Sequence, residues 1–81
     1  METARIIKLY PSKELCIYQS NSGYGYFYCT EVEHFNIGDE FVGELNTGGA
    51  CNICFVGENE TITVDMECYG APSLQVIYKS I

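Results

Sequence analysis

Apolar and polar residues alternate along most of this chain, and no stretch repeats with a convincing helical period. The clearest alternation runs from Thr61 to Cys68. It places Ile62, Val64, Met66 and Cys68 on one face, and Thr61, Thr63, Asp65 and Glu67 on the other. The same rule predicts further strands over Arg5–Tyr10, Leu15–Ser20, Tyr24–Val32, Asp39–Leu45, Ala50–Val56 and Ser73–Ile81. Turn residues separate them: Pro11–Glu14, Asn21–Gly23, Asn46–Gly49, Gly57–Glu60 and Gly70–Pro72. The longest connection is Glu33–Gly38, with room for a single helical turn near Glu31–Asn36. Expected core residues are Ile7, Leu9, Leu15, Ile17, Phe41 and Leu45. Cys51, Ile53 and Phe55 share one face, and Leu74, Val76 and Tyr78 another.

Strands joined by tight turns pair as antiparallel neighbours. The pattern therefore predicts an all-β fold: one small antiparallel meander of about seven strands over residues 1–81. It would roll into a barrel of the OB or SH3-like kind or fold into a small sandwich. An unclosed meander would leave two strand edges, through which copies could pair.

Composition bounds the class. The 81 residues suit a single domain, and 47% hydrophobic content with 19% charged residues is globular rather than disordered. No apolar run approaches the roughly 20 residues of a membrane-spanning helix. The segment Met1–Arg5 has no apolar signal core behind it, so a soluble, cytoplasmic protein is expected.

Charge is the strongest global signal, with eleven acids against four bases and a net charge of −7. From Glu14 to Tyr78 there is no lysine or arginine, and every acid except Glu2 falls in that stretch. Such a body repels phosphate backbones and attracts basic surfaces. On exposed strand faces Asp65 and Glu67 would stand roughly 7 Å apart, and Glu40 and Glu44 about 13 Å. Phosphates of one B-DNA strand advance about 3.4 Å each along the axis, so rows of carboxylates can imitate a phosphate track.

Catalytic and metal chemistry find little support. Cys16, Cys29, Cys51, Cys54 and Cys68 are odd in number, which favours free thiols over a disulfide framework. Cys51 and Cys54 form one CxxC without the second pair of a zinc ribbon. On a strand, residues three apart point to opposite faces, so Cys68 or His34 could join them only by chance of folding. One histidine, no nucleophile elbow and no phosphate loop point to a non-enzymatic protein without cofactor or metal.

Tyr24, Tyr26 and Tyr28 line one face of their strand, and Gly25, Phe27 and Cys29 the other. If the tyrosines face outward they are rigid anchors for a partner, and glycines at 23 and 25 would let its backbone come close. If inward, they are core. Ser22-Gly23-Tyr24-Gly25-Tyr26-Phe27 resembles the K-G-F-G-F-I strand of cold-shock domains, which are OB barrels. Val32-Glu33-His34-Phe35 is similar to their following V-F-V-H-F strand. Phe35-Asn36-Ile37-Gly38-Asp39-Glu40-Phe41 resembles the strand start of many OB and SH3-like barrels. The resemblance implies a barrel, with Tyr24, Tyr26 and His34 stacking bases. This chain departs from the pattern at Ser22, where the family has a basic residue, and in its acidic body.

The expected function is that of a small acidic binding protein. Its partner would be a protein with a basic surface, most concretely a nucleic-acid-binding protein whose groove it occupies. Small phage and mobile-element inhibitors of nucleic-acid enzymes offer the analogy in size and charge. Glu31, Glu33, Asp39, Glu40, Glu44, Asp65 and Glu67 would supply the field, and Tyr24, Tyr26 and Tyr28 the packed contacts. On this reading nucleic acid and membrane are not partners, and the chain is a monomer or homodimer. Two other readings stand beside it. One is an OB-like binder of single-stranded nucleic acid using the aromatic stripe. The other is an assembly subunit that pairs through strand edges.

Overall fold

Six antiparallel strands close into a barrel in the computed structural model, which describes residues 1–81. They are β1 (Glu2–Tyr10), β2 (Leu15–Ser20), β3 (Gly23–Tyr28), β4 (Glu40–Gly43), β5 (Gly49–Phe55) and β6 (Thr61–Ala71). Helix α1 (Leu74–Ser80) follows β6. Single 3-10 turns occupy Pro11–Lys13 and Val32–His34, the second of them within the span where a helical turn was expected.

The order around the barrel is β1-β2-β3-β6-β5-β4, with β4 returning to β1. A simple meander is therefore corrected to two meanders, β1–β3 and β4–β6, set side by side. The connection 29–39 carries the chain from β3 to the start of β4 instead of to a neighbouring strand. Closure decides between barrel and sandwich. It also leaves both would-be edges paired, β1 to β4 and β3 to β6. Past the last rung of the β1–β4 ladder, the Ile6 amide donates to the Asp39 carbonyl at 2.9 Å, and the Gly38 amide to the Ile6 carbonyl at 2.8 Å.

The seventh strand expected over Ser73–Ile81 is a helix instead. The six-stranded sheet is already closed and offers no edge to pair with. The same residues also carry a helical stripe: Leu74, Ile77 and Ile81 pack on the barrel wall, while Val76 and Tyr78 stay 40% and 42% exposed. Strand limits shift too. The long β3 ends at Tyr28, and β6 runs on to Ala71 through the turn expected at Gly70.

Two apolar clusters result. Alternation puts Ala4, Ile6, Cys16, Tyr18, Phe27, Phe41, Ile53, Val64 and Met66 inside the barrel. Leu15, Ile17, Tyr26, Ala71 and Ile77 form a second cluster on the outside of the wall, under α1. Bulges explain how one strand serves both. Ile7 is the extra residue where β1 passes from Ile6↔Tyr18 to Lys8↔Ile17. Glu67 is extra where β6 passes from Phe27↔Met66 to Tyr26↔Cys68. Cys68, expected inward, consequently packs on the outer cluster. Ile7, Leu15 and Ile17 are likewise core residues of the outer cluster, whereas Leu9 packs on the inner one.

Gly23 and Gly25 serve the chain's own packing. Tyr18 is fully buried, its hydroxyl 3.3 Å from both the Met66 thioether and the Cys68 carbonyl. A Cβ at Gly25 would fall on the Tyr18 ring and hydroxyl and on that same carbonyl. One at Gly23, where φ is +127°, would meet the Ala71 carbonyl. Gly25→Ala is expected to destabilise the fold by about 3 kcal/mol, the upper end for overpacking a core. Ile77→Ala, which empties the centre of the outer cluster, should cost a similar ~3 kcal/mol. Urea unfolding followed by circular dichroism measures both. A loss below about 1 kcal/mol in Gly25→Ala would mean that Tyr18 packs elsewhere.

Candidate functional site

At one end of the barrel β4 and β6 begin and β5 ends, with Phe41 opposite Phe55 and Cys54 opposite Thr61. The connection 29–39 folds over this end. Its Phe35 is buried against Phe55 and Phe27, ring centroids 4.8 Å and 6.4 Å apart. Between this cap and the β5–β6 turn lies an open cleft of about 540 Å³. Phe35, Phe55, Val56 and Ile62 provide its apolar surface. Five carboxylates line it, from Glu31, Asp39, Glu40, Glu58 and Glu60, together with His34, Asn36 and Thr61. No lysine or arginine does.

Two of these acids have fixed partners. The Asp39 carboxylate accepts from the Asn36 amide at 3.0 Å and holds the turn that starts β4. The Glu40 carboxylate meets the Arg5 guanidinium at 3.3 Å, an exposed pair that contributes little stability. Glu31, Glu58 and Glu60 form no ion pair. They face solvent at the rim and are free to meet cations. Exposed Val56 on the rim and Ile37 on the neighbouring turn, 61% and 67% accessible, add apolar contact surface.

The structure gathers only some of the residues expected from sequence. Glu31, Asp39 and Glu40 share the cleft. Glu33 sits exposed on the 3-10 turn without lining it. Glu44 lies past the other end of β4, 3.5 Å from the N-terminal ammonium. Asp65 and Glu67 lie exposed on β6, Asp65 opposite Tyr28. Glu58 and Glu60 complete the cleft, and sequence reasoning missed that role. They stand on a turn that the β4–β5 pairing sets beside residue 40, the Val56 amide donating to the Glu40 carbonyl at 2.9 Å, and the connection 29–39 folds over it.

The tyrosine stripe faces outward, with Phe27 and Cys29 inside. The outer cluster covers most of it. Tyr26 is only 7% exposed, Tyr24 is half-buried, and Tyr28 is 37% exposed with its ring edge-on to Tyr26 at 6.1 Å. Burial, with Tyr28 beside it, pushes the Tyr26 phenol above its ordinary value. His34, grouped with these tyrosines by the cold-shock resemblance, stands in the acidic cleft instead.

The cysteines are all free. Cys51 and Cys54 point to opposite faces, as alternation requires, and hydrogen-bond to different carbonyls, Glu44 and Glu58. No group of three or more His, Cys, Asp or Glu side chains is placed to hold a metal ion. Compared with protein-family models, with curated proteins and with solved structures, the chain matches none.

Burial pushes the Cys16, Cys29 and Cys51 thiols up, so each is both shielded and poorly ionised. A disulfide-exchange reagent at neutral pH is therefore expected to titrate Cys54 and Cys68 quickly, and the other three only as the protein unfolds. Quantitative thiol release with and without urea checks this. Five fast thiols in the native protein would contradict the burial of the barrel interior.

Proposed function

We propose that this protein binds, without catalysis, a basic surface on another protein, and that the acidic cleft is where it does so. The most concrete form is a modulator of a nucleic-acid-binding protein, whose cationic groove would take the carboxylates in place of phosphates. The observation that carries the reading is the gathering of Glu31, Asp39, Glu40, Glu58 and Glu60 around one open concavity that no lysine or arginine lines. Carboxylates converging from separate segments reinforce one another's field, and a concave, low-dielectric wall concentrates it. The apolar floor and the exposed Val56 and Ile37 give a docked partner something to desolvate. Electrostatics then steers encounter and selects the partner, while the apolar contacts slow its departure.

The test is capture of partners from lysate on the tagged protein, with nuclease present, followed by binding measurements on the recovered protein. A nucleic-acid-binding protein displaced by added duplex DNA is the expected catch. Its affinity should fall steeply with salt. Glu31→Lys/Glu58→Lys/Glu60→Lys should weaken it by roughly tenfold or more, since these exposed charges act on encounter and on contact. Affinity indifferent to both salt and reversal would defeat the proposal.

A further inference from the structure

Helix α1 is the one regular element that the barrel can release without opening. It joins no ladder, since the six strands close on one another. None of its residues belongs to the inner cluster, whose members run from Ala4 to Met66. Only Ile77 of α1 is buried. No side chain caps its N-terminus, and seven residues are too few to stay helical in water. Pro72 and Ser73 alone tie it to β6. What holds α1 is the seat of Leu74, Ile77 and Ile81 on the outer cluster. It is therefore the cooperative unit of lowest stability in the chain, able to leave while the barrel stays shut.

The seat itself is shaped for a helix. Leu15, Ile17, Tyr26 and Ala71 form an apolar strip on the wall, with Tyr24 and Cys68 beside them. The present occupant meets it through Leu74, Ile77 and Ile81, at i, i+3 and i+7, the spacing by which an amphipathic helix fills an apolar surface. At 1.5 Å per residue α1 is only about 10 Å long. The strand β3 beneath it spans roughly 20 Å, and its Tyr28 stays 37% exposed, ring edge-on to Tyr26. A helix of about four turns is long enough to cover the strip and Tyr28 together. We infer that α1 is an autoinhibitory cover, and that the strip beneath it takes an amphipathic helix of another protein, with leucine or isoleucine at i, i+3 and i+7. That helix replaces α1 in kind and gains Tyr28 in addition. Strip and acidic cleft have no residue in common, so the inference stands apart from the reading above.

Because α1 competes from within the same chain, the affinity for an incoming helix is reduced by the fraction of molecules whose strip is open. Breaking α1 without touching the strip should therefore tighten binding. Tyr78 suits this, being 42% exposed and outside the outer cluster. Proline at that position removes a helical hydrogen bond and clashes with the preceding turn. The cysteines report what has opened. Cys16, Cys29 and Cys51 lie in the inner cluster, whereas Cys68 packs on the outer one.

The test is fluorescence anisotropy with a labelled alanine–glutamine helix of about four turns that carries Leu, Ile and Ile at the spacing of α1. A control peptide carries the same three residues at i, i+2 and i+4. The full chain and its Tyr78→Pro variant are titrated with each. The probe should bind the variant at least about tenfold more tightly than wild type, and the control should bind neither. Tyr28→Ala, added to the variant, should weaken the probe about threefold or more. In the variant Cys68 should react faster with a thiol reagent, while Cys16, Cys29 and Cys51 stay shielded. In wild type, hydrogen exchange in low urea should show the amides of α1 opening before those of the strands. Equal affinity for both proteins, a control that binds as well as the probe, or a probe that binds neither or ignores Tyr28 would overturn the inference. So would inner thiols that react in the variant, or α1 amides that exchange only together with the strands, since helix and barrel would then open as one.

Discussion

Glu2–Arg5 of β1 pair with Glu40–Gly43 of β4, and this short ladder closes into a barrel the six-stranded sheet that the β3–β6 pairing joins. Without it β1 and β4 would be open edges of one six-stranded sheet, and the interior would lie open between them. With it, Phe27, Phe41 and Phe55 are enclosed from all sides, their rings meeting edge to face. A clasp helps hold the start of β1 in place. The Ser22 hydroxyl donates to the Glu2 carboxylate at 2.9 Å, and the Tyr69 hydroxyl reaches Ser22 at 3.2 Å. The β4–β5 pairing sets the turn after β5 beside the start of β4, and the Ile6 hydrogen bonds to Gly38 and Asp39 tie the cap before β4 to the same seam, so the acidic cleft also rests on it.

Closure also determines what the end of the chain does. A small closed barrel has one interior, and in this one the side chains of the wall fill it. Apolar residues beyond that capacity need another cover. The bulges at Ile7 and Glu67 turn parts of β1 and β6 outward, and with Leu15, Ile17 and Tyr26 they make an apolar strip on the wall. A seven-residue helix is too short to hold itself in water. Its stability comes from laying Leu74, Ile77 and Ile81 along that strip. Helix and strip need each other, and Tyr24 and Tyr26 of β3 are used in that contact, while Tyr28 stays exposed.

Much of this was legible in the sequence. Alternation gave the six true strands within a few residues, the inward faces of β4 and β5, and the opposite directions of Cys51 and Cys54. It failed where one pattern fits two periods. Leu74, Val76 and Tyr78 suit a strand; Leu74, Ile77 and Ile81 suit a helix. Only the absence of a free sheet edge decides between them. It failed again at Cys68, because a bulge adds a residue and reverses every face beyond it without a mark in the sequence. The pairing of β3 with β6 and of β1 with β4 joins segments far apart along the chain, and local turns carry no information about them.

The same limit explains the site. Charge along the chain showed that acids crowd the middle and lysines the ends, but a list of acids has no shape. Glu44, Asp65 and Glu67 belong to that list and point elsewhere; Glu58 and Glu60 complete the cleft because the β5–β6 turn lies across from residues 31–40. The fold turns part of a sequence-level bias into one cleft that no lysine or arginine lines. None of the three lysines forms an ion pair with a carboxylate. Lys8 and Lys13 sit over the Tyr78 and Tyr10 rings instead, so no lysine screens the carboxylates of the cleft.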